Sequence, residues 1–463
     1  MESMDNLARG LIESACGNTR WRQKSTINLI PSEHTPSLLV RLLTITDPSG
    51  RYAEHQRVDL EPTDTYYYQG TRFIAEVEAR LIAEMKKYLG CTQVEVRPIS
   101  GQMANGIVFS ALVEYLNRHN RQAEPRRLRH VLNHHIGRGG HLSAQPMGAL
   151  RPYVSKDPAT GRWAISNFPV LPNDPYRIDL AKVGDIITEH KPEIIVLGKS
   201  MIIYREPVRE IAAMAASVDP KPIVMYDGAH VLGLFGPHYQ QPLAEGADFV
   251  SASTHKTFFG TQRGVIGSNI DPGSDLADLW DCVARRAFPG SLSNHHLGTL
   301  VGLLMAAYEM NTYGRDYQKQ VIANAKAFAR ALKDKGLHVE GDPNTGYTET
   351  HQVLLRVGHA RGIELAERLE KNNIIVNYQG LPDDMGFNVS SGLRTGVQEM
   401  TRFGMREADF GELAGYFADV ILKGKDVSKQ VADFRGRFTT MGYCLPEDKA
   451  RPLVAELTEA IRG

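Results

Sequence analysis

The feature that most limits what this chain can fold into is an alternation of two hydrophobic periods. The stretches FIAEVEARLIAEMKKYLG and QMANGIVFSALVEYL repeat their apolar residues every third or fourth position and read as helices. Short apolar runs, VEVRPIS, EIIVLGKS, PIVMYDG and DFVSAS, lie among helical stretches and read as strands. Strands alternating with helices favour a largely parallel sheet covered on both faces, so the expected class is α/β. A long helical stretch, TLVGLLMAAYEM followed by DYQKQVIANAKAFARALKDKG, then leads into VLLRV, IELAERLEKNN, IIVNY and a last helical region, a pattern that suits a smaller second α/β domain. Residues 1–50 hold an amphipathic helix and the segment INLIPSEHTPSLLVRLL, broken by Pro31 and Pro36, and read as an arm packed on another surface. The expected division is therefore arm 1–50, large domain 51–300 and small domain 301–463.

Composition removes several function classes. The 53 basic and 53 acidic residues cancel, and the one basic cluster, Arg126, Arg127 and Arg129, is short, so no nucleic-acid or membrane-surface footprint is expected. Cys16, Cys91, Cys282 and Cys444 lie far apart with no CxxC pair, which argues against a disulfide framework or a structural zinc site and for a cytoplasmic protein. The first residues, MESMDNLARGLIES, lack a long apolar core, and no later run reaches spanning length, so neither a leader nor a membrane helix is expected.

The chemistry gathers where the strands end, the place where open α/β sheets bind ligands. After VEVRPI come Ser100, Gly101 and Gln102 and then a helix, which is either an anion cradle of backbone N–H groups or a simple cap. Asp227 follows PIVMY, with His230 three residues on, and reads as an N-cap or as a functional acid. After DFV, the run Ser251 to Thr257 is rich in hydroxyls and contains His255 and Lys256. A phosphate cradle, an acid at one strand end and a lysine at the next are the parts that pyridoxal 5′-phosphate requires: the amine forms an imine with the cofactor aldehyde, and the carboxylate keeps the pyridine nitrogen protonated. In NHHIGRGGHLSAQ, Gly139 and Gly140 permit close backbone approach, and His141 can lie against the ring. His134, His135 and His141 also admit reading as metal ligands, although no paired Cys or HExxH accompanies them, and no metal is expected.

These residues resemble the serine hydroxymethyltransferase family of fold-type I pyridoxal-phosphate enzymes, whose large domain is aminotransferase-like. The resemblance runs from about residue 20 to about residue 425 and rests on NLIPSEH, RYAEH, YYYQGTRFIAEVE, SGQMAN, GGHLS, YDGAHVLGL, STHKTFFGTQRG, FPGSLSNHHL and SGLRTG. SGQMAN, FPGSLSNHHL and TETHQ look like the archaeal-type branch. The resemblance implies a Schiff base on Lys256, a ring-nitrogen partner in Asp227, a stacking imidazole in His141 and a ring-oxygen neighbour in His230. Phosphate contacts fall on Ser100, Gly101, Gln102, Ser253 and His255, and Ser200 joins the cofactor set. Arg394 matches the arginine that grips the substrate carboxylate, and Ser32 matches a second contact to it. Tyr52 and Glu54 match residues placed in a neighbouring subunit's site, with Glu54 carrying the β-hydroxyl proton and Tyr68 also on the substrate side. Ser293 and Asn294 match contacts to the neighbour's phosphate, so the resemblance implies a homodimer, with a tetramer also open.

The chain also departs from the family. Where the family has a glycine and a short PGKRYYGG-like loop after Tyr-Ala-Glu, residues 55–65 run HQRVDLEPTDT. His34 replaces an asparagine after Ser-Glu, and Gln379 stands where the family often has a carrier-contacting asparagine. The expected reaction is making or breaking the Cα–Cβ bond of β-hydroxy amino acids, foremost serine/glycine hydroxymethyl transfer with tetrahydrofolate or a related pterin. The altered loop leaves threonine transaldolase or folate-free aldolase activity as the alternative, and a catalytically silent scaffold as a third reading.

Overall fold

Each of the four apolar runs becomes a strand of one seven-stranded sheet. The structure is a computed structural model that describes residues 3–56, 64–120, 122–386 and 389–463. The strands are β1 (Gln93–Glu95), β2 (Val131–Asn133), β3 (Ile165–Asn167), β4 (Ile194–Leu197), β5 (Ile223–Asp227), β6 (Phe249–Ser253) and β7 (Gly264–Ser268), in the spatial order β1-β7-β6-β5-β4-β2-β3. From β3 to β6 every neighbouring pair is parallel. Only β7 runs against its neighbours β6 and β1. The reason is local: residues 254–263 are too short a connection for a crossover over the sheet, so the chain turns straight back.

Burial follows the strand period. Alternate residues Ile194 and Val196, and Ile223 and Met225, join Phe249 and Ile266 in one core beneath the helices Gly101–Leu116 and Ala277–Arg285. Each such side chain stabilises the fold by roughly 1.5–3 kcal/mol relative to exposure. Strands β5, β6 and β7 are buried at every position, as a sheet covered on both faces requires.

The chain forms two units. The larger holds His34–Gln318 and Tyr443–Gly463, and the smaller holds the residues up to Glu33 together with Lys319–Gly442. This differs from boundaries at 50 and 300, for identifiable reasons. Ile27 and Asn28 pair in parallel with Ile374 and Ile375, which ties the first residues to the smaller unit. The helix Leu38–Leu43 packs instead against the terminal helix Glu447–Arg462, so both belong to the larger one. The helix Leu297–Asp334 starts in the larger unit and ends in the smaller. In the smaller unit, β8 (His338–Val339), β9 (Gln352–Arg356), β10 (Asn377–Gln379) and β11 (Gly392–Gly396) make an antiparallel sheet in the order β8-β9-β11-β10. No helix among the described residues is long and apolar enough to cross a membrane.

Candidate active site

The helix Gly101–Leu116 begins where β1 has led the chain, and Ser100 is its N-cap: the Ser100 hydroxyl accepts the Met103 N–H at 3.1 Å. Capping and anion binding are compatible here. The hydroxyl keeps its own proton to donate, and the first-turn N–H groups of Gly101 and Gln102 have no intrahelical acceptor. A Cβ on Gly101 would lie 2.2 Å from the Ser253 hydroxyl oxygen, so glycine is what lets the end of β6 meet this helix start.

Asp227 closes β5 and is buried. Its Oδ2 accepts from the Asn105 amide at 2.7 Å and the Ser143 hydroxyl at 3.1 Å and lies 2.5 Å from His141 Nδ1, while Oδ1 accepts the Ala229 N–H at 3.1 Å. Burial alone would raise its pKa, but His141, by charge and hydrogen bond, with Asn105 and Ala229, more than offsets this and holds it at about 2. Asp227 is thus a carboxylate at any physiological pH, and its place at a strand end with four partners is more than a cap. The resemblance lays the His141 imidazole on a cofactor ring; in this structure its Nδ1 meets Asp227, and its ring stands edge-on to His230 at 6.0 Å between centroids.

The hydroxyls of β6 and of the turn after it divide into two groups. Ser251 bonds Asn105, Thr254 donates to the Thr261 carbonyl at 2.7 Å, and Thr257 donates to the His230 carbonyl at 2.9 Å. Thr254 and Thr257 brace the turn, and Ser251, inside β6, ties that strand to the helix Gly101–Leu116. Ser253 faces Gly101, and His255 and Lys256 follow it. Lys256 is buried, and His255 Nδ1 is buried without a hydrogen-bond partner. Burial first, and then the Lys256 charge, push the His255 pKa down to about 4, so its ring is neutral at pH 7.

The glycines before His141 serve the protein's own backbone. Gly139 has φ +89°, and a Cβ on Gly140 would fall 2.4 Å from the His134 carbonyl oxygen. The Ser200 N–H donates to the Gly139 carbonyl at 2.8 Å and its hydroxyl to the same oxygen at 3.3 Å, so Ser200 steadies this turn. The three histidines of the segment go separate ways: His134 Nε2 lies 2.9 Å from buried Glu206, His135 Nδ1 accepts the Gly137 N–H at 3.1 Å, and His141 turns to Asp227. Lys199 also reaches Glu206, at 3.1 Å. Among the described residues no group of three His, Cys, Asp or Glu side chains is placed to hold a metal.

Tyr52, Glu54 and Tyr68 form a second cluster in the larger unit. The Tyr52 and Tyr68 rings are 5.2 Å apart, and the Glu54 carboxylate hydrogen-bonds Tyr68. Desolvation, followed by that carboxylate, raises the Tyr68 pKa. Asn294 donates to the Arg51 carbonyl at 2.7 Å, which fastens the Ser293–Asn294 segment to the residue before Tyr52; Ser293 is exposed. Residues 57–63 of the altered loop lie outside the described residues.

In the smaller unit, buried Arg394 sits mid-strand in β11, its Nε donating to Asn377 at 3.3 Å, and burial lowers its pKa to about 10. Ser32 lies in a turn clamped beside that strand. Gly396 N–H donates to the Leu29 carbonyl at 2.7 Å, and Gln398 Nε2 reaches the carbonyls of Ile30 and Glu33, each at 2.8 Å. His34 packs by its ring near Phe259 at 5.8 Å, and Gln379 ends β10.

Sequence reading missed Asn105, Ser143 and Asn377. A signal existed for the first: an asparagine one helical turn into a largely apolar helix is a poor helix former unless its amide has buried partners.

A family model, Serine hydroxymethyltransferase, matches residues 9–417. The chain belongs to the serine hydroxymethyltransferase family. Serine hydroxymethyltransferases of Pyrobaculum aerophilum and Staphylothermus marinus are 38% and 37% identical to it, covering 93% and 94% of this chain and 93% and 92% of their own length. That of Metallosphaera sedula is 36% identical over 95% of this chain and 96% of its own. The crystal structure of L-threonine transaldolase from Pseudomonas fluorescens superposes with a TM-score of 0.82 at 26% identity, covering 98% of this chain and 99% of that one. The fold is therefore that of the fold-type I pyridoxal-phosphate enzymes.

Proposed function

We propose that this chain interconverts serine and glycine with a pterin carrying the one-carbon unit, using pyridoxal 5′-phosphate. The observation that carries the reading is the buried Asp227, ionised down to about pH 2, on the strand beside the one that leads to Lys256. The residues fit the cofactor. First-turn N–H groups at Gly101 and Gln102, the Ser100 and Ser253 hydroxyls and the orphaned His255 Nδ1 form the donor set a phosphate needs. Bound pyridoxal phosphate supplies an electron sink for the pair left on the α carbon when the Cα–Cβ bond breaks.

The chain's own residues do the rest. The Lys256 amine is the covalent tether. Asp227 keeps a proton on the pyridine nitrogen because it cannot itself be neutralised at working pH. Arg394 and Ser32 take the substrate carboxylate, a role suited to a guanidinium fork. Glu54, with Tyr68 hydrogen-bonded to it, moves the proton on and off the β-hydroxyl. Exposed Tyr52 and Tyr68, their rings 5.2 Å apart, suit contact with a second copy, which supports a homodimer in which Tyr52, Glu54, Ser293 and Asn294 serve the neighbour's site. The four cysteines are free, which suits a cytoplasmic protein.

Threonine transaldolase activity is the second reading, favoured by the full-length likeness to such an enzyme and by the altered loop. Higher identity to the hydroxymethyltransferases favours the first. The test is purified protein with serine or threonine, with and without tetrahydrofolate, following glycine and released aldehyde. Serine cleavage accelerated by tetrahydrofolate, and abolished in Lys256→Ala, is the expected result. Threonine cleavage that ignores tetrahydrofolate, with serine inert, would replace the first reading by the second.

A further inference from the structure

Glu78 is a carboxylate where the helix pattern calls for an apolar residue. It lies on the buried face of the helix Arg72–Leu89 with Ile74, Val77, Leu81 and Met85. A carboxylate there must be paired, since an isolated buried charge is strongly disfavoured. Its partners come from two separate segments. Oε2 accepts the Tyr66 hydroxyl at 2.9 Å and lies 3.6 Å from His55 Nδ1, whose nearer contact is the Ala53 carbonyl at 3.0 Å, while Oε1 lies at ion-pair distance from His295 Nε2, 2.7 Å, without the geometry of a hydrogen bond.

His55 and Tyr66 face each other across the short antiparallel pair His55–Gln56 and Thr65–Tyr66, their rings stacked at 4.5 Å. That pair is the base of the altered loop. Glu54 precedes it and Tyr68 follows it, and the Tyr67 N–H donates to the Glu54 carbonyl at 3.0 Å. His295 directly follows Asn294, and the carbonyl of His295 is held by buried Arg263 at 2.5 Å. Arg97, paired with Glu95, donates to the His55 carbonyl at 3.3 Å, and Asp64 lies 3.5 Å from His55 Nε2. One carboxylate therefore joins the segment carrying Tyr52, Glu54 and Tyr68 to the segment carrying Ser293 and Asn294.

We propose that Glu78, acting through His55, Tyr66 and His295, is a positioning residue that locks these two segments together and so sets where the Glu54 carboxylate stands. The proposal rests on the reading above for the role of Glu54. It does not require Glu78 to touch substrate. His55 also gives the altered loop a purpose that glycine in its place could not serve, because glycine has no ring to stack on Tyr66 or to face Glu78.

The test uses the full chain with pyridoxal phosphate and the variants Glu78→Gln and Tyr66→Phe, the second removing a single hydroxyl and leaving the buried charge in place. Amide hydrogen exchange reads position directly. Both variants are expected to speed exchange at least tenfold in peptides covering 53–56, 64–68 and 293–296 together, with the central strands β4 to β6 unchanged. Faster exchange in one segment alone, or in neither, overturns the proposal. Kinetics supply the split that a merely structural role would not produce: kcat for serine cleavage should fall at least tenfold in Glu78→Gln, with KM for serine within about twofold. Adding Glu54→Gln to Glu78→Gln should cost less than threefold more. Independent, multiplying losses overturn the coupling. Glu54→Gln alone with full activity would instead overturn the assigned role of Glu54, an outcome the exchange data separate from failure of the lock.

Discussion

Replacing Asp227 by asparagine changes one atom's chemistry in a buried site, and the structure sets the size of the effect. The native carboxylate has its pKa lowered from 3.8 to about 2, a difference worth about 2.5 kcal/mol at roughly 1.36 kcal/mol per unit. A group whose folded pKa is depressed contributes that stability in full above its unfolded value, and the contribution fades as pH falls toward 2. Asparagine makes no such contribution. It also has one carbonyl oxygen where two carboxylate oxygens accept from Asn105, Ser143 and Ala229, and stranding a buried donor costs about 1–3 kcal/mol. Because the two effects overlap, Asp227→Asn should destabilise the cofactor-free protein by about 2–4 kcal/mol at pH 7. Urea unfolding measures it. Between pH 4.5 and pH 3 the gap between native protein and variant should narrow by about 1 kcal/mol, since only the native protein loses stability as this carboxylate takes up its proton. A gap of zero at pH 7 would refute the partner set assigned to Asp227, and a gap that stays constant over that range would refute its ionised state.

Two other substitutions probe the phosphate cradle and the carboxylate grip. Gly101→Ala should weaken cofactor binding at least tenfold, measured by titration of absorbance, because its Cβ displaces the Ser253 hydroxyl; adding Ser253→Ala should restore thermal stability without restoring affinity. Arg394→Ala should raise KM for the amino acid while leaving cofactor content unchanged, the loss of a charge-assisted pair costing on the order of 2–5 kcal/mol in steady-state kinetics.

The strands around the site were legible because each is an apolar run stopped by a polar residue that the site uses, with Asp227 after IVMY, Ser253 after the start of β6 and Ser100 before its helix. What could not be read was which polar groups would meet through space. Asn105 and Ser143 reach Asp227 from a helix and a turn distant in sequence, and although they close the stretches SGQMAN and GGHLS, nothing in either stretch says that its last residue will meet Asp227. The reversal of β7 was hidden by the alternation rule, which predicts parallel neighbours and is overridden when a connection is too short to cross the sheet. The boundary near residue 33 was equally hidden, because a two-residue parallel pair leaves almost no periodic signal. Glu78 was the legible warning passed over, an acid at a core position of a regular helical pattern.

The pairing of Ile27 with Ile374 also has a consequence for how the polypeptide is made. At the ribosome, with elongation at roughly 5–20 residues per second, the first strand waits tens of seconds for the segment it must join. The whole of His34–Gln318 emerges in that interval and can collapse around its own sheet. Until Ile374 and Ile375 appear, Ile27 and Leu29, both fully buried at the end, have no place to go. The segment holding Ile27 and Leu29 therefore gives a chaperone a long opportunity to bind, and substitutions there will be felt in folding yield before they are felt in catalysis.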